Sequence, residues 1–87
     1  MPTIRDVVQA LGRRDGVDAV IVLGRDGLPI DAVTRDGLDT DGVAAMVPSV
    51  AAAFNRLGSA AGRGDFTSSV VEYGKGMMIV SVLNLQC

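Results

Sequence analysis

Residues 19–33 read AVIVLGRDGLPIDAV. Five apolar residues, Ala19 to Leu23, lead into Gly24-Arg25-Asp26-Gly27, and the alternating run Leu28-Pro29-Ile30-Asp31-Ala32-Val33 follows. Two apolar runs joined by Asp-Gly predict a β-hairpin, because the reversal needs positive φ and glycine adopts it without steric cost. The first run is continuous and β-branched, which suits a strand covered on both faces. Pro29 has no N–H for the ladder, so the second strand belongs at a sheet edge.

The Arg-Asp-Gly of this turn recurs. It stands at Arg14-Asp15-Gly16, Arg25-Asp26-Gly27 and Arg35-Asp36-Gly37. A metal loop, a phosphate cradle, a repeat and a plain reversal are the readings to separate. Asp36-Gly37-Leu38-Asp39-Thr40-Asp41-Gly42 is the nearest approach to a calcium loop. Aligning Gly42 with that loop's glycine puts Gly37 at the first ligand position and Pro48 at the closing one, where carboxylates are required. An acidic cluster capping a helix N-terminus fits better. The glycines from Gly58 to Gly64 close a predicted helix, whereas a phosphate cradle must open one. They read as a C-terminal cap. Arg63-Gly64-Asp65 also spells an adhesion tripeptide, a poor fit to a cytoplasmic chain. The triplets are therefore expected to be reversals between elements.

Outward from the hairpin, helical spacing dominates. Ile4, Val7, Val8 and Leu11 fall on one stripe, with Thr3 and Asp6 placed as a capping box, so a short helix is expected over about residues 3–14. Asp39-Thr40-Asp41 opens a second helix reaching about Ala61, with Val43, Val47, Val50, Phe54, Leu57 and Ala61 as its expected buried seam. Pro48 lies past the first turn, where a local kink is expected. The outer half of this helix is unusually apolar for a surface helix. Phe66 to Tyr73 and Met77 to Leu83 read as strands joined at Gly74-Lys75-Gly76. The order is helix, strand, strand, helix, strand, strand, in a single domain over residues 1–87.

Composition narrows function. A chain of 87 residues buries only about 60–65% of its unfolded surface and needs some further stabilisation. Its only cysteine is Cys87 and it has no histidine, which removes an internal disulfide and nearly excludes a zinc site. Association with another chain is what remains. A net charge of −2, with no basic run and only 3% aromatics, argues against nucleic acid. No apolar stretch approaches the ~20 residues that span a bilayer, and the N-terminus lacks signal-peptide layout. The expected location is the cytoplasm. Catalysis has little to work with, since Glu72 is the only glutamate and the aspartates fall on turns and caps. No cofactor or metal is expected. The expectation is a surface that binds: Met46, Ser49, Ala53, Arg56 and Ala60 lie together on the outer face of the second helix, beside the seam.

The short helix, the segment Gly16 to Leu23, the GRDGLPI turn and the helix DGVAAMVPSVAAAFNRLG resemble the roadblock family of dynein light chains. Its bacterial and archaeal members include gliding-motility regulators of Ras-like GTPases. The likeness runs from about Ile4 to Val82. It implies an α+β fold: an antiparallel sheet with the long helix on one face, here in the order α-β-β-α-β-β. The usual fifth strand, which lies mid-sheet in the family, and the last helix would be lacking. The first and fourth strands would then pair directly or leave ladder groups open, inviting strand exchange. The family is not enzymatic. It dimerises through the long helix and the third strand, which adds Val71 to the expected interface. The resemblance thus implies a homodimeric scaffold that binds a Ras-like small GTPase; the alternative is a purely structural self-association module of a larger signalling or motor complex.

Overall fold

The computed structural model describes residues 3–35 and 37–83. Six elements follow one another: α1 (Ile4–Gly12), β1 (Val17–Leu23), β2 (Pro29–Thr34), α2 (Thr40–Ala60), β3 (Ser68–Tyr73) and β4 (Gly76–Val82). Together they make one four-stranded sheet in the order β2-β1-β4-β3, with a short N-terminal helix and a longer second helix. Helix α1 starts at the expected capping box: Thr3 accepts from the Asp6 N–H and the Asp6 carboxylate accepts from the Thr3 N–H.

The three Arg-Asp-Gly triplets are reversals. Gly16, Gly27 and Gly37 have φ of 84°, 84° and 92°, in the left-handed region that L side chains avoid. In the hairpin the Gly27 N–H donates to the Gly24 carbonyl and the Gly24 N–H to the Leu28 carbonyl. The loop thus has three residues, with the left-handed glycine third. Asp26 locks it by accepting from the Leu28 N–H at 3.0 Å. Asp36 lies outside the described residues. The arginine beside it fastens β2 to β1: the Arg35 N–H donates to the Asp18 carbonyl at 2.8 Å, and its guanidinium donates to the Val17 carbonyl at 3.2 Å.

β2 lies at the edge, as Pro29 requires. β1 lies inside the sheet and is buried on both faces. Ala19, Ile21 and Leu23 join Val80, Val47 and Ala51 in a core under α2. Val20 and Val22 join Val8 in a second core under α1, on the opposite face. The chain's only two phenylalanines, Phe54 and Phe66, stack with centroids 5.1 Å apart where α2 gives way to β3. Asn55 fixes that exit by accepting from the Phe66 N–H at 2.8 Å.

The expectation of a wholly antiparallel sheet needs correction. β1 and β4 pair directly and run parallel, from Val17 opposite Met77 to Leu23 opposite Val82, with an irregularity between Val17 and Ala19. Topology explains the direction. β2 ends beside the start of β1, and β3 starts beside the end of β4. Helix α2, at 21 residues and about 31 Å, carries the chain the full length of the sheet between them. Two hairpins linked by such a crossover have β1 and β4 pointing the same way, so their direct contact is parallel. An antiparallel sheet would need another strand between them.

The seam of α2 is also corrected. Val47 and Ala51 are the buried residues, flanked by half-buried Val43 and Phe54, whereas Val50, Leu57 and Ala61 are exposed. Val47 and Ala51 pack with Ala19, Ile21, Leu23 and Val80, which leaves the larger Val50 and Leu57 facing outward. Pro48 sits within the continuous helix.

Helix α2 ends as the glycine cluster predicts. The Arg63 N–H reaches the Gly58 carbonyl at 2.8 Å and the Gly62 N–H reaches Ser59 at 3.1 Å, with Gly62 at φ 67°. These are the two bonds of a Schellman cap. A side chain at Gly58 would collide with the Gly64 backbone carbonyl. Gly58→Ala is therefore expected to lower stability by about 1–3 kcal/mol, and Gly74→Ala, which meets nothing within 4 Å, by much less; thermal unfolding by circular dichroism compares them. The seam has its own test. Ala51→Leu should cost about 1–3 kcal/mol by overpacking, while Ala52→Leu on the exposed face should stay within about 0.5 kcal/mol of the parent in urea unfolding. Equal costs would contradict the corrected seam.

Candidate interaction surface

Helical geometry determines which side chains of α2 stand together. Relative to Met46, the directions of Val50, Ala53, Leu57 and Ala60 all lie within about 40° at 100° per residue, and Ser49 and Arg56 follow on the outer side. Met46, Ser49, Ala53, Arg56 and Ala60 are all exposed and share one side of the helix. Met46 is 66% exposed and Leu57 65%. These two flexible apolar side chains, with exposed Val50, make a stripe along a helix whose adjacent flank, about 100° round, holds Val47 and Ala51 in the core.

Strand β3 adds the second part. Val71 pairs with Met78 and Ser69 with Val80, and Met78 and Val80 pack in the core under α2. Val71, Ser69 and Tyr73 therefore point to the α2 side of the sheet. Val71 is half-buried there, and Tyr73 is exposed. The Ser69 Oγ is buried without a hydrogen-bond partner.

β3 is also an open edge. The Val82 N–H donates to the Thr67 carbonyl at 2.8 Å. Alternate residues of an antiparallel strand bond to the same neighbour, so Ser69, Val71 and Tyr73 turn their backbone groups to β4. Ser68, Val70 and Glu72 then present theirs outward. The other edge, β2, is blunted by Pro29, whereas β3 carries neither proline nor lysine.

The acidic cluster before α2 is a cap. Asp39 is the N-cap and its carboxylate accepts from the Gly42 N–H at 3.0 Å. Asp41 lies in the first helical turn, where a negative charge interacts favourably with the helix dipole.

Sequence reasoning missed Val50, Leu57 and Tyr73 as parts of this surface. The steps of four and three that connect Val50 and Leu57 to Val47 and Phe54 suit either flank of the helix. The alanines gave no signal to choose between them, because Ala52, Ala53 and Ala60 on the exposed side are as small as buried Ala51. Tyr73, the only tyrosine, stands next to a turn, where exposure is ordinary.

With this geometry in place, comparison with known proteins gives a single finding. The family model of the Roadblock/LC7 domain matches residues 3–83. No curated protein matches significantly, and no solved structure does. The matched span takes in both helices and all four strands, and the chain belongs to the Roadblock/LC7 domain family.

Proposed function

We propose that this protein is a cytoplasmic, non-catalytic scaffold that pairs with a second copy through α2 and β3 and presents the pair to a small Ras-like GTPase. The observation that carries the first half is the apolar α2 stripe lying beside an unblunted strand edge. Monomers rarely leave such a stripe and such an edge uncovered together. No helix among the described residues is long and apolar enough to cross a membrane, so a protein partner is the cover this proposal assigns to the stripe.

Two-fold symmetry constrains the contact. An antiparallel β3 pair centred on Val70 uses the outward groups of Ser68, Val70 and Glu72 and sets Glu72 opposite the other copy's Ser68. A register centred on Glu72 would oppose two carboxylates, which is unfavourable. The same two-fold axis brings the two α2 stripes together on one side of the joined sheet. Ala53 and Ala60 permit close approach, and Met46 fills the remaining gaps. Burial of about 800 Å² per partner would make a stable interface.

The second half rests on family membership. Roadblock proteins of the bacterial and archaeal type act on Ras-like GTPases, and their domain is generally not catalytic. Arg56 is exposed on α2 and Arg63 lies just past its cap. Neither stands on a projecting loop of the kind that inserts an arginine against a transferring phosphate. The scaffold reading therefore has the GTPase's own switch regions shifted by differential affinity for its two states.

Light scattering at micromolar concentration should give more than one chain per particle, and Ala53→Arg should lower that number without loss of helicity. A monodisperse single chain of 9.0 kDa would rule out the pairing. For the partner, the Ras-like GTPase encoded nearest the gene is loaded with GDP or a GTP analogue and titrated by calorimetry. Tighter binding to one state by tenfold or more is expected, with hydrolysis unaffected by Arg56→Ala. Equal, negligible binding to both states would leave the structural self-association module as the function.

A further inference from the structure

The chain has three aromatic side chains, Phe54, Phe66 and Tyr73, and two of them are already together. Phe54 and Phe66 stack just before β3, and both are half-buried. Tyr73 ends the same strand and is 59% exposed. Seven residues of extended chain put it about 24 Å from Phe66 along the strand, so one folded copy cannot bring the third ring to the other two. Both ends nevertheless face the same way. Phe66 packs against the core under α2, and Tyr73 follows the alternation of Ser69 and Val71 to that side of the sheet.

An antiparallel partner strand exchanges the two ends. In the two-fold pair centred on Val70, Ser69 faces the other copy's Val71 and Tyr73 faces the other copy's Thr67. The outward groups of Ser68, Val70 and Glu72 make the hydrogen bonds between the copies. Tyr73 and Thr67 therefore form a non-hydrogen-bonded pair, the closer kind, with about 4.5 Å between Cα atoms. Phe66 is the next residue along, and an aromatic side chain reaches past its direct opposite to such a neighbour. Asp65 and Thr67 beside it are polar and exposed, which suits a ring that carries a hydroxyl at its tip. Neighbouring registers lose this seat. Centring on Glu72 sets Tyr73 against Val71, and centring on Ser68 sets it against Arg63.

We propose that Tyr73 fixes the register of self-association by seating its ring on the Phe54–Phe66 stack of a second copy. The inference rests on the pairing through α2 and β3 proposed above and names the residue that selects its register and its partner. An open strand edge accepts extended segments of many kinds. A ring at the end of that edge accepts one that carries aromatic side chains just before its own strand. Two-fold symmetry makes two such three-ring clusters, one at each end of the joined strands.

The chain has no tryptophan and no second tyrosine, so its intrinsic emission comes from Tyr73 alone. Acrylamide quenching of that emission is measured along a dilution series of the full chain, with mass by light scattering on the same samples and folded Ala53→Arg as the single-chain reference. The quenching constant should fall about threefold as chains pair, because the seat keeps solvent from the ring. Tyr73→Ala should weaken pairing about tenfold or more, and Tyr73→Phe, which keeps the ring, by no more than about threefold. Tyr73 is exposed in the single chain, so neither variant removes a core contact, and circular dichroism checks the fold. Pairs whose Tyr73 is quenched as readily as in the single chain overturn the proposal and leave the α2 pairing standing. Undiminished pairing of Tyr73→Ala, or a Tyr73→Phe as weak as Tyr73→Ala, does the same. A chain that stays single at every concentration removes the pairing and this inference together.

Discussion

The fold depends on the burial of β1. This strand pairs with β2 along one edge and with β4 along the other, and its two faces are closed by α2 and α1. Ile21, Leu23 and Val20 are among the largest fully buried side chains in the molecule. In a chain with 3% aromatics, rings join the layers only where Phe54 stacks on Phe66, so β-branched and aliphatic contacts along one strand supply most of the core. A small domain has little surplus stability, and here the available burial is concentrated on a single element. No other strand is buried on both faces along its length.

That concentration explains the connection between the two halves. Each hairpin is antiparallel and local, and its turn is set by glycine and aspartate chemistry. The junction of the hairpins is different in kind, being a parallel pair whose direction comes from the length of α2. A helix that spans the sheet must deliver β3 at the far end, and β4 then returns alongside β1. The irregularity between Val17 and Ala19 falls where this pairing begins, beside the reversal at Gly16.

Two apolar surfaces are left once β1 is satisfied. One lies along α2 and β3 and the other beside α1, on opposite sides of the sheet. Several charges hold the frame: Arg35 with Asp18, Arg5 with Asp31, and the Asp39 cap. A domain organised this way offers apolar surface for contact, which suits the small scaffold or regulatory module that its family suggests.

Much of this was legible in the residues themselves. The hairpin from Val17 to Thr34, the double burial of its first strand, the edge placement forced by Pro29, the capping box at Thr3 and the cap after Ala60 all follow from local rules. Backbone conformation and hydrogen-bond supply near a turn depend on a few adjacent residues. The outer face of α2 was legible too, because a surplus of apolar residues on one helix is visible without knowing where the helix packs. Two features came only with tertiary structure. The direction of the β1–β4 pair depends on how far α2 travels. The buried flank of α2, Val47 and Ala51 instead of Val50 and Leu57, depends on which side of the helix meets Ile21 and Leu23. Sequence determines periodicity and turn chemistry because those are properties of neighbours; strand direction and the buried flank were decided by packing between elements far apart in the chain.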